Sequence, residues 1–147
     1  MSRTLRTSGF ALTFLAGMSA SAFAETHVVK MLNKGVDGKM VFEPAFVLAV
    51  AGDTVKFIAV DSGHNVFTIE GMLPEGAKAI AGKLNESISV TLTVEGIYGV
   101  KCAPHYEMGM VGLIQVGAPT NIQSARSVVQ TGVAKPRFDA MFAQINQ

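Results

Sequence analysis

Cys102, His105 and Met110 lie close together in the stretch Val100 to Val111 and offer three different donor atoms: a thiolate, an imidazole and a thioether. Cys102 ends an apolar, strand-like run. His105 follows three residues later and Met110 five after that, where the next apolar run, Val111 to Val116, begins. A loop that leaves one strand end and re-enters the next can aim all three donors at one point. Donors of this softness suit copper in both oxidation states, and two His, one Cys and a weak axial Met form the copper electron-transfer set. The second nitrogen has a candidate in His64, where Gly63 closes one apolar run and Asn65 opens another.

Taken singly, each residue has a plainer use. A strand-end His is usually surface or hydrogen-bonded, a lone Cys in a β-protein is usually a small buried hydrophobe, and a loop Met usually fills a gap. The spacing Cys-x2-His-x4-Met between two strands, with His-Asn upstream, is what favours a shared site. Three other chemistries use part of the set. A Cys–His pair can act as nucleophile and base, but no orienting carboxylate is evident and the Met has no role. A copper carrier or store without redox shuttling would use exposed, exchangeable Cys or Met clusters, whereas this chain has one Cys. Structural zinc accepts His and Cys, but thioether is a poor fourth ligand for it. The third histidine, His27, reads as solvated.

The 147 residues carry 12 Lys and Arg against 11 Asp and Glu. Residues 1–24 read as a secretory signal peptide: Arg3 and Arg6 form a basic start, Phe10 to Met18 an apolar core, and Ala22-Phe23-Ala24 a small-residue cleavage site. The apolar stretch is shorter than the roughly 20 residues that span a bilayer. Removing residues 1–24 leaves residues 25–147 as a single domain with ten basic and eleven acidic side chains, a balance that argues against nucleic-acid binding. No later segment is apolar enough to insert in a membrane, and nothing demands more than a monomer. A single Cys in an exported chain is inert, paired between chains or used chemically, and a metal bond would protect it in an oxidising compartment.

The elements that would position these residues are short strands. His27 to Leu32 reads as a strand stopped by Asn33-Lys34-Gly35, and Asp37-Gly38 as a turn. Met40 to Phe42 begins the next strand, bends at Glu43-Pro44 and resumes from Ala45 to Val50. Thr54 to Val60, Asn65 to Ile69, Ser87 to Val94, Ile97 to Cys102 and Val111 to Val116 follow. Residues 70–86 read as irregular, with one helical turn at most. Ile88, Val90, Leu92 and Val94 alternate with polar residues, the period of a half-buried strand. After Gly117-Ala118-Pro119 the period changes. Ile122, Ala125, Val128 and Val129 fall at helical spacing with Thr120 or Asn121 as N-cap, and Phe138, Met141, Phe142 and Ile145 repeat it after Pro136. The expectation is an all-β, Greek-key sandwich of seven or eight strands over 25–117, with two short C-terminal α-helices in 118–147.

Gly63-His64-Asn65-Val66, Tyr98 to Tyr106 and Met108 to Gly112 resemble the type I blue copper proteins, the cupredoxins, and within them the pseudoazurins. Met31 to Gly35 and Val41 to Phe46 extend the resemblance over essentially all of residues 25–147. It implies copper held by His64, Cys102, His105 and axial Met110. It also implies a periplasmic carrier of single electrons that docks transiently with redox proteins near His105, such as cytochromes or the copper nitrite reductase of denitrifying bacteria. Asn65 would tie the His64 strand to the Cys102 loop, and Pro104, with no N–H, would remove one hydrogen bond from the sulfur. Ala103, Pro104 and Met108, with Met40 by resemblance, would form an apolar rim at an electron door on His105. Lys34, Lys39 and Lys101 would steer acidic partners. Two departures bear on partner choice: Ser62 stands where many pseudoazurins carry a lysine, and Glu107 where a small residue is common.

Overall fold

The structure is a computed structural model that describes residues 23–145. The expected leader therefore falls outside the described residues except for Phe23 and Ala24, both exposed. Among the described residues, eight strands precede two helices: β1 (Thr26–Gly35), β2 (Gly38–Glu43), β3 (Phe46–Ala49), β4 (Thr54–Ala59), β5 (Phe67–Thr68), β6 (Ile88–Thr91), β7 (Gly96–Lys101), β8 (Val111–Val116), α1 (Ile122–Ser127) and α2 (Ala134–Phe142). The strands form two four-stranded sheets, ordered β2-β1-β4-β6 and β3-β8-β7-β5. β1 runs parallel to β4, and β3 parallel to β8. This is the expected cupredoxin-type sandwich with two short C-terminal helices.

Several boundaries differ from the sequence pattern. β1 does not stop at Asn33, because the reversal comes later: Gly35 pairs with Gly38 across Val36-Asp37. The chain changes sheets at the Glu43-Pro44 bend, so residues 46–49 join β8 instead of extending β2. The strand expected over Asn65 to Ile69 shrinks to two residues, and residues 70–86 contain no helical turn. α2 starts two residues before Pro136, which sits in the first turn, where a missing N–H breaks no intrahelical bond. α1 ends at Ser127 and Val128 is already extended, so both Val128 and Val129 of the expected helical stripe lie beyond it, Val128 half-buried and Val129 exposed. Asn121 occupies the N-cap position of α1, yet its side chain turns away to bond both the N–H and the carbonyl of Ile97.

The core has two layers that share one sheet. Val29, Met31, Phe42, Val55, Phe57, Tyr98, Val100 and Ile114 pack between the sheets, and Cys102 and Met110 belong to the same cluster. Ile97, Val111 and Leu113 face the other way, onto Ala125, Phe138, Met141 and Phe142 of the helices. Both faces of β8 are therefore covered, and all six of its residues are buried. Burial on both faces removes the alternation seen in one-sided strands.

At the sheet end where the chain enters, Asp53 is buried and accepts hydrogen bonds from the N–H of Glu25 (2.8 Å), the N–H of Val50 (3.0 Å) and Nε2 of His27 (2.9 Å). His27 is therefore half-buried and paired, not solvated as its position near the chain start suggests. The N–H groups of Val50 and Glu25, then His27, hold the Asp53 carboxyl at about 2, below its ordinary 3.8, against the opposing effect of burial. A depressed carboxyl stabilises the fold above its unfolded-state value, and that contribution disappears as pH falls through the folded value. Asp53→Asn is thus expected to lower the urea midpoint of the copper-free protein at pH 6. The two midpoints should converge as pH drops from about 4 toward 2. A gap that stays constant across this range would refute the role of the charge.

Candidate metal centre

His64 follows Gly63, whose φ of 92° is a left-handed turn at the end of the β4 connection. Asn85, itself at φ 63°, accepts from the Gly63 N–H (2.6 Å) and donates its own N–H to the His64 carbonyl (2.8 Å). The turn carrying His64 is thereby fixed from both sides. On its ring, Nε2 donates to Oδ1 of Asn33 at 2.9 Å. Because a carboxamide oxygen only accepts, the ring proton is on Nε2, and Nδ1 turns its lone pair toward Cys102 and His105.

Cys102 stands one residue past β7, and the loop behind it is tightly hydrogen-bonded. The Cys102 N–H donates to the Met110 carbonyl (2.9 Å), the Met110 N–H to the His105 carbonyl (3.1 Å), and the Gly109 N–H to the Tyr106 carbonyl (2.8 Å). Gly109 has φ 88°, and a Cβ there would meet Val133 Cγ1 at 2.8 Å, so the turn returning the chain to Met110 requires glycine. Asn65 Oδ1 accepts from the Ala103 N–H at 2.8 Å and joins the His64 strand to this loop.

These constraints bring three donors together. Cys102 Sγ lies 3.7 Å from Nδ1 of His64 and 3.6 Å from Nδ1 of His105, and the two nitrogens are 3.2 Å apart. A triangle with these sides has a point about 2 Å from every corner, matching the distance at which imidazole and thiolate bind a first-row metal. Cys102, His64 and Met110 are fully buried, and His105 is half-buried. The donor set is neutral nitrogen plus sulfur, which fits copper.

Burial pushes the Cys102 thiol above its ordinary value, opposed by the backbone N–H groups of Asn65 and His105. Burial, and secondarily the charge of His105, pushes His64 down, with Asp61 acting in the opposite direction. Without metal, the pocket therefore favours neutral groups. A cation entering it displaces the thiol proton and finds an imidazole already unprotonated.

Beside His105 in the chain, Ala103 and Pro104 are exposed and Met108 is 48% exposed, while Met40 is half-buried against the inter-sheet core. Lys34 and Lys39 are exposed and paired across the β1–β2 hairpin. The Lys101 ammonium lies 5.0 Å from the centre of the Tyr106 ring, and Glu107 accepts from the Thr131 hydroxyl.

Asn33, Asn85 and Arg137 bond to the segments that carry the donors, and the sequence pattern does not reveal them. Asn33 has the look of a strand-stop signal, and Asn85 that of an ordinary loop residue. Arg137, on α2, donates to the carbonyls of Lys39 (3.0 Å), Met40 (2.9 Å) and Gly109 (2.6 Å), so one guanidinium joins helix, hairpin and metal loop. Its partners lie 28 to 98 residues away, beyond any local pattern.

Residues 29–117 match the family described as copper binding proteins, plastocyanin/azurin family. The chain is similar to a pseudoazurin of Paracoccus pantotrophus, 51% identical over 133 residues that span 90% of this chain and 92% of the relative. The crystal structure of pseudoazurin from Methylobacterium extorquens AM1 has a TM-score of 0.80 and 46% identity, covering 82% of this chain and 99% of that one. The pseudoazurin of Hyphomicrobium denitrificans gives 0.79 and 43%, covering 83% and 99%. Agreement at this level over nearly the whole length of each relative, on a sandwich that gathers sulfur and imidazole donors at one end, places the chain in a family: it belongs to the pseudoazurins, electron-transfer copper proteins of the plastocyanin/azurin family.

Proposed function

We propose that residues 25–147 are a single domain working in the periplasm as a one-electron shuttle, exported by removal of residues 1–24. In this reading His64, Cys102 and His105 would hold copper through two nitrogens and a sulfur, and Met110 would add a weak thioether donor. The observation that carries the proposal is the buried triangle of Sγ and two Nδ1 atoms. Copper bound there supplies a Cu(II)/Cu(I) couple that accepts and releases one electron with no bond made to a substrate.

The chain's contribution is to hold the donors still and limit access to them. Asn33 fixes the His64 ring, Asn65 fixes the loop, and Cys102 is tethered through the Met110 carbonyl, so the donors have little room to rearrange between oxidation states. Asn65 and His105 provide the N–H groups that act on the sulfur. Pro104, between Cys102 and His105, has none to add, which leaves the thiolate richer in electron density. His105 is the half-buried ligand and the point of electron entry, within the apolar rim of Ala103, Pro104, Met108 and Met40. A rim of this kind suits the small interfaces of transient redox encounters. Lys34, Lys39 and Lys101 add positive charge for an acidic partner such as copper nitrite reductase or a cytochrome. A carrier that hands over the metal itself is disfavoured by the complete burial of the sulfur.

The purified protein loaded with Cu(II) should be blue, bleach on one-electron reduction and recover on oxidation. Mixing the reduced form with copper nitrite reductase should restore the colour at a rate that falls as salt rises. A colourless complex, or copper passing to the partner, would support the carrier reading instead. Met110→Gln should retain a coloured site at a lower potential, because an oxygen donor on the axis favours Cu(II) over Cu(I). An unchanged potential would exclude Met110 as a ligand.

A further inference from the structure

The Asp53 cluster plays no part in holding copper, yet it contains a buried carboxylate aimed at the backbone nitrogen of Glu25. Asp53 is 2% exposed, and its Oδ1 receives the Glu25 N–H at 2.8 Å. The other oxygen, Oδ2, is occupied by the Val50 N–H and by Nε2 of His27. The Glu25 carbonyl accepts from the Thr54 N–H at 2.8 Å, so Glu25 is held on both sides of its Cα. Immediately before it, Ala24 is exposed and Phe23 is 91% exposed. The anchored chain begins at Glu25, which is itself exposed apart from its partly buried backbone contacts.

We infer that Asp53 is a socket for the α-ammonium group created at Glu25 when the leader is removed, so that maturation adds an ion pair to the fold. The inference rests on the reading of residues 1–24 as a signal peptide. Hydrolysis by a leader peptidase breaks the Ala24–Glu25 amide with one water. Ala24 leaves with the carboxylate, and the Glu25 nitrogen takes up protons to become an ammonium. The atom that already donates to the Asp53 carboxylate then does so as a cation, which adds the attraction of opposite charges to a bond already assisted by the charge of its acceptor. Asn33, which fixes His64, is eight residues farther along the strand, about 25 Å at the usual rise, so the gain is remote from the metal centre. Phe23, Glu25, His27, Leu48, Val50 and Asp53 line the depression, and Glu25 and His27 are the titratable groups beside the carboxylate.

The test compares the copper-loaded chain beginning at Glu25 with one that retains Ala24, each with Asp53 and with Asp53→Asn, by urea unfolding at pH 6.5. Retaining Ala24 is expected to raise the unfolding constant about five- to tenfold when Asp53 is present, the scale of one ion pair at a partly buried site. In the Asp53→Asn background, where the carboxylate charge is gone, the extension should change it less than about twofold. Equal effects in both backgrounds, or none in either, would overturn the inference. If Asp53→Asn does not fold, the Glu25 α-amino group is titrated by NMR in the unmutated chain. A value above the ordinary range of about 7.7–8 supports the socket, and one within or below it refutes it. Mass spectrometry of the exported protein tests the cleavage reading separately. A start at Glu25 supports it, whereas any other start retires it while the comparison of chains still reports on Asp53.

Discussion

Cys102→Ser is expected to abolish the intense visible absorption of the copper-loaded protein and to leave the sandwich folded. The Cys102 sulfur is the one soft, ionisable donor in the triangle, and the colour of such a site comes from the copper–thiolate bond. A serine hydroxyl is harder and stays protonated at neutral pH, so no equivalent bond replaces it. Its oxygen is also smaller and bonded closer to Cβ, which draws the donor back from the two Nδ1 atoms. The fold has reasons to tolerate the change. Burying a hydroxyl without a partner costs about 1–3 kcal/mol, but the Asn65 and His105 N–H groups that act on the sulfur are in place to bond the oxygen. Visible absorption and electron paramagnetic resonance measured beside a thermal melt check both halves. A variant that remains blue, or one that fails to fold at all, would contradict this account of Cys102.

Gly99→Val is expected to destabilise the protein by about 3 kcal/mol, the upper end of the usual range for an overpacked core. Gly99 lies on β7, three residues before Cys102. A Cβ at this position would sit 2.5 Å from Met72 Cε, 2.6 Å from Met72 Sδ and 2.8 Å from Met72 Cβ. Met72 has little freedom to move away. It is fully buried, its N–H donates to the Ile69 carbonyl, and its carbonyl accepts from the Gly99 N–H. Its sulfur also receives Nε2 of Gln130, whose Oε1 takes the Tyr106 hydroxyl. Inserting a branched side chain therefore strains β7, the 69–72 turn and the contact between the metal loop and the segment after α1. Urea unfolding should show a lower midpoint with an unchanged slope, the mark of altered stability alone. A midpoint equal to that of the parent protein would show that Met72 yields more easily than its contacts indicate.

The sequence discloses the strand pattern best where local chemistry is strongest. Val111 to Val116 begins and ends where its apolar run does, and Gly117 and Pro119 separate it from the helices. It discloses less where partners are distant. The parallel pairing of β1 with β4 and the transfer of residues 46–49 to the second sheet depend on which edges are available after collapse, and no periodicity encodes that. His27 reads as solvated because Asp53, 26 positions later, has the character of an ordinary turn residue. At the metal centre, Cys102, His105 and Met110 are visible as a cluster, and His64 stands out as a strand-end histidine. Asn33 and Arg137 do not, because each acts across the tertiary structure through a single polar group in an unremarkable local setting. The residues that offer donors are legible in the chain. The residues that hold them in position are mostly not.

The pseudoazurin fold and its copper set the frame, and the ligand assignment is the claim on which the rest of the account depends. X-ray absorption at the copper edge, recorded on the oxidised and reduced protein, tests it most directly. One copper per chain is expected, with one sulfur and two imidazole nitrogens at short range in both states and only small changes in distance on reduction. A spectrum without the short sulfur contact, or one in which an imidazole is lost on reduction, would contradict it.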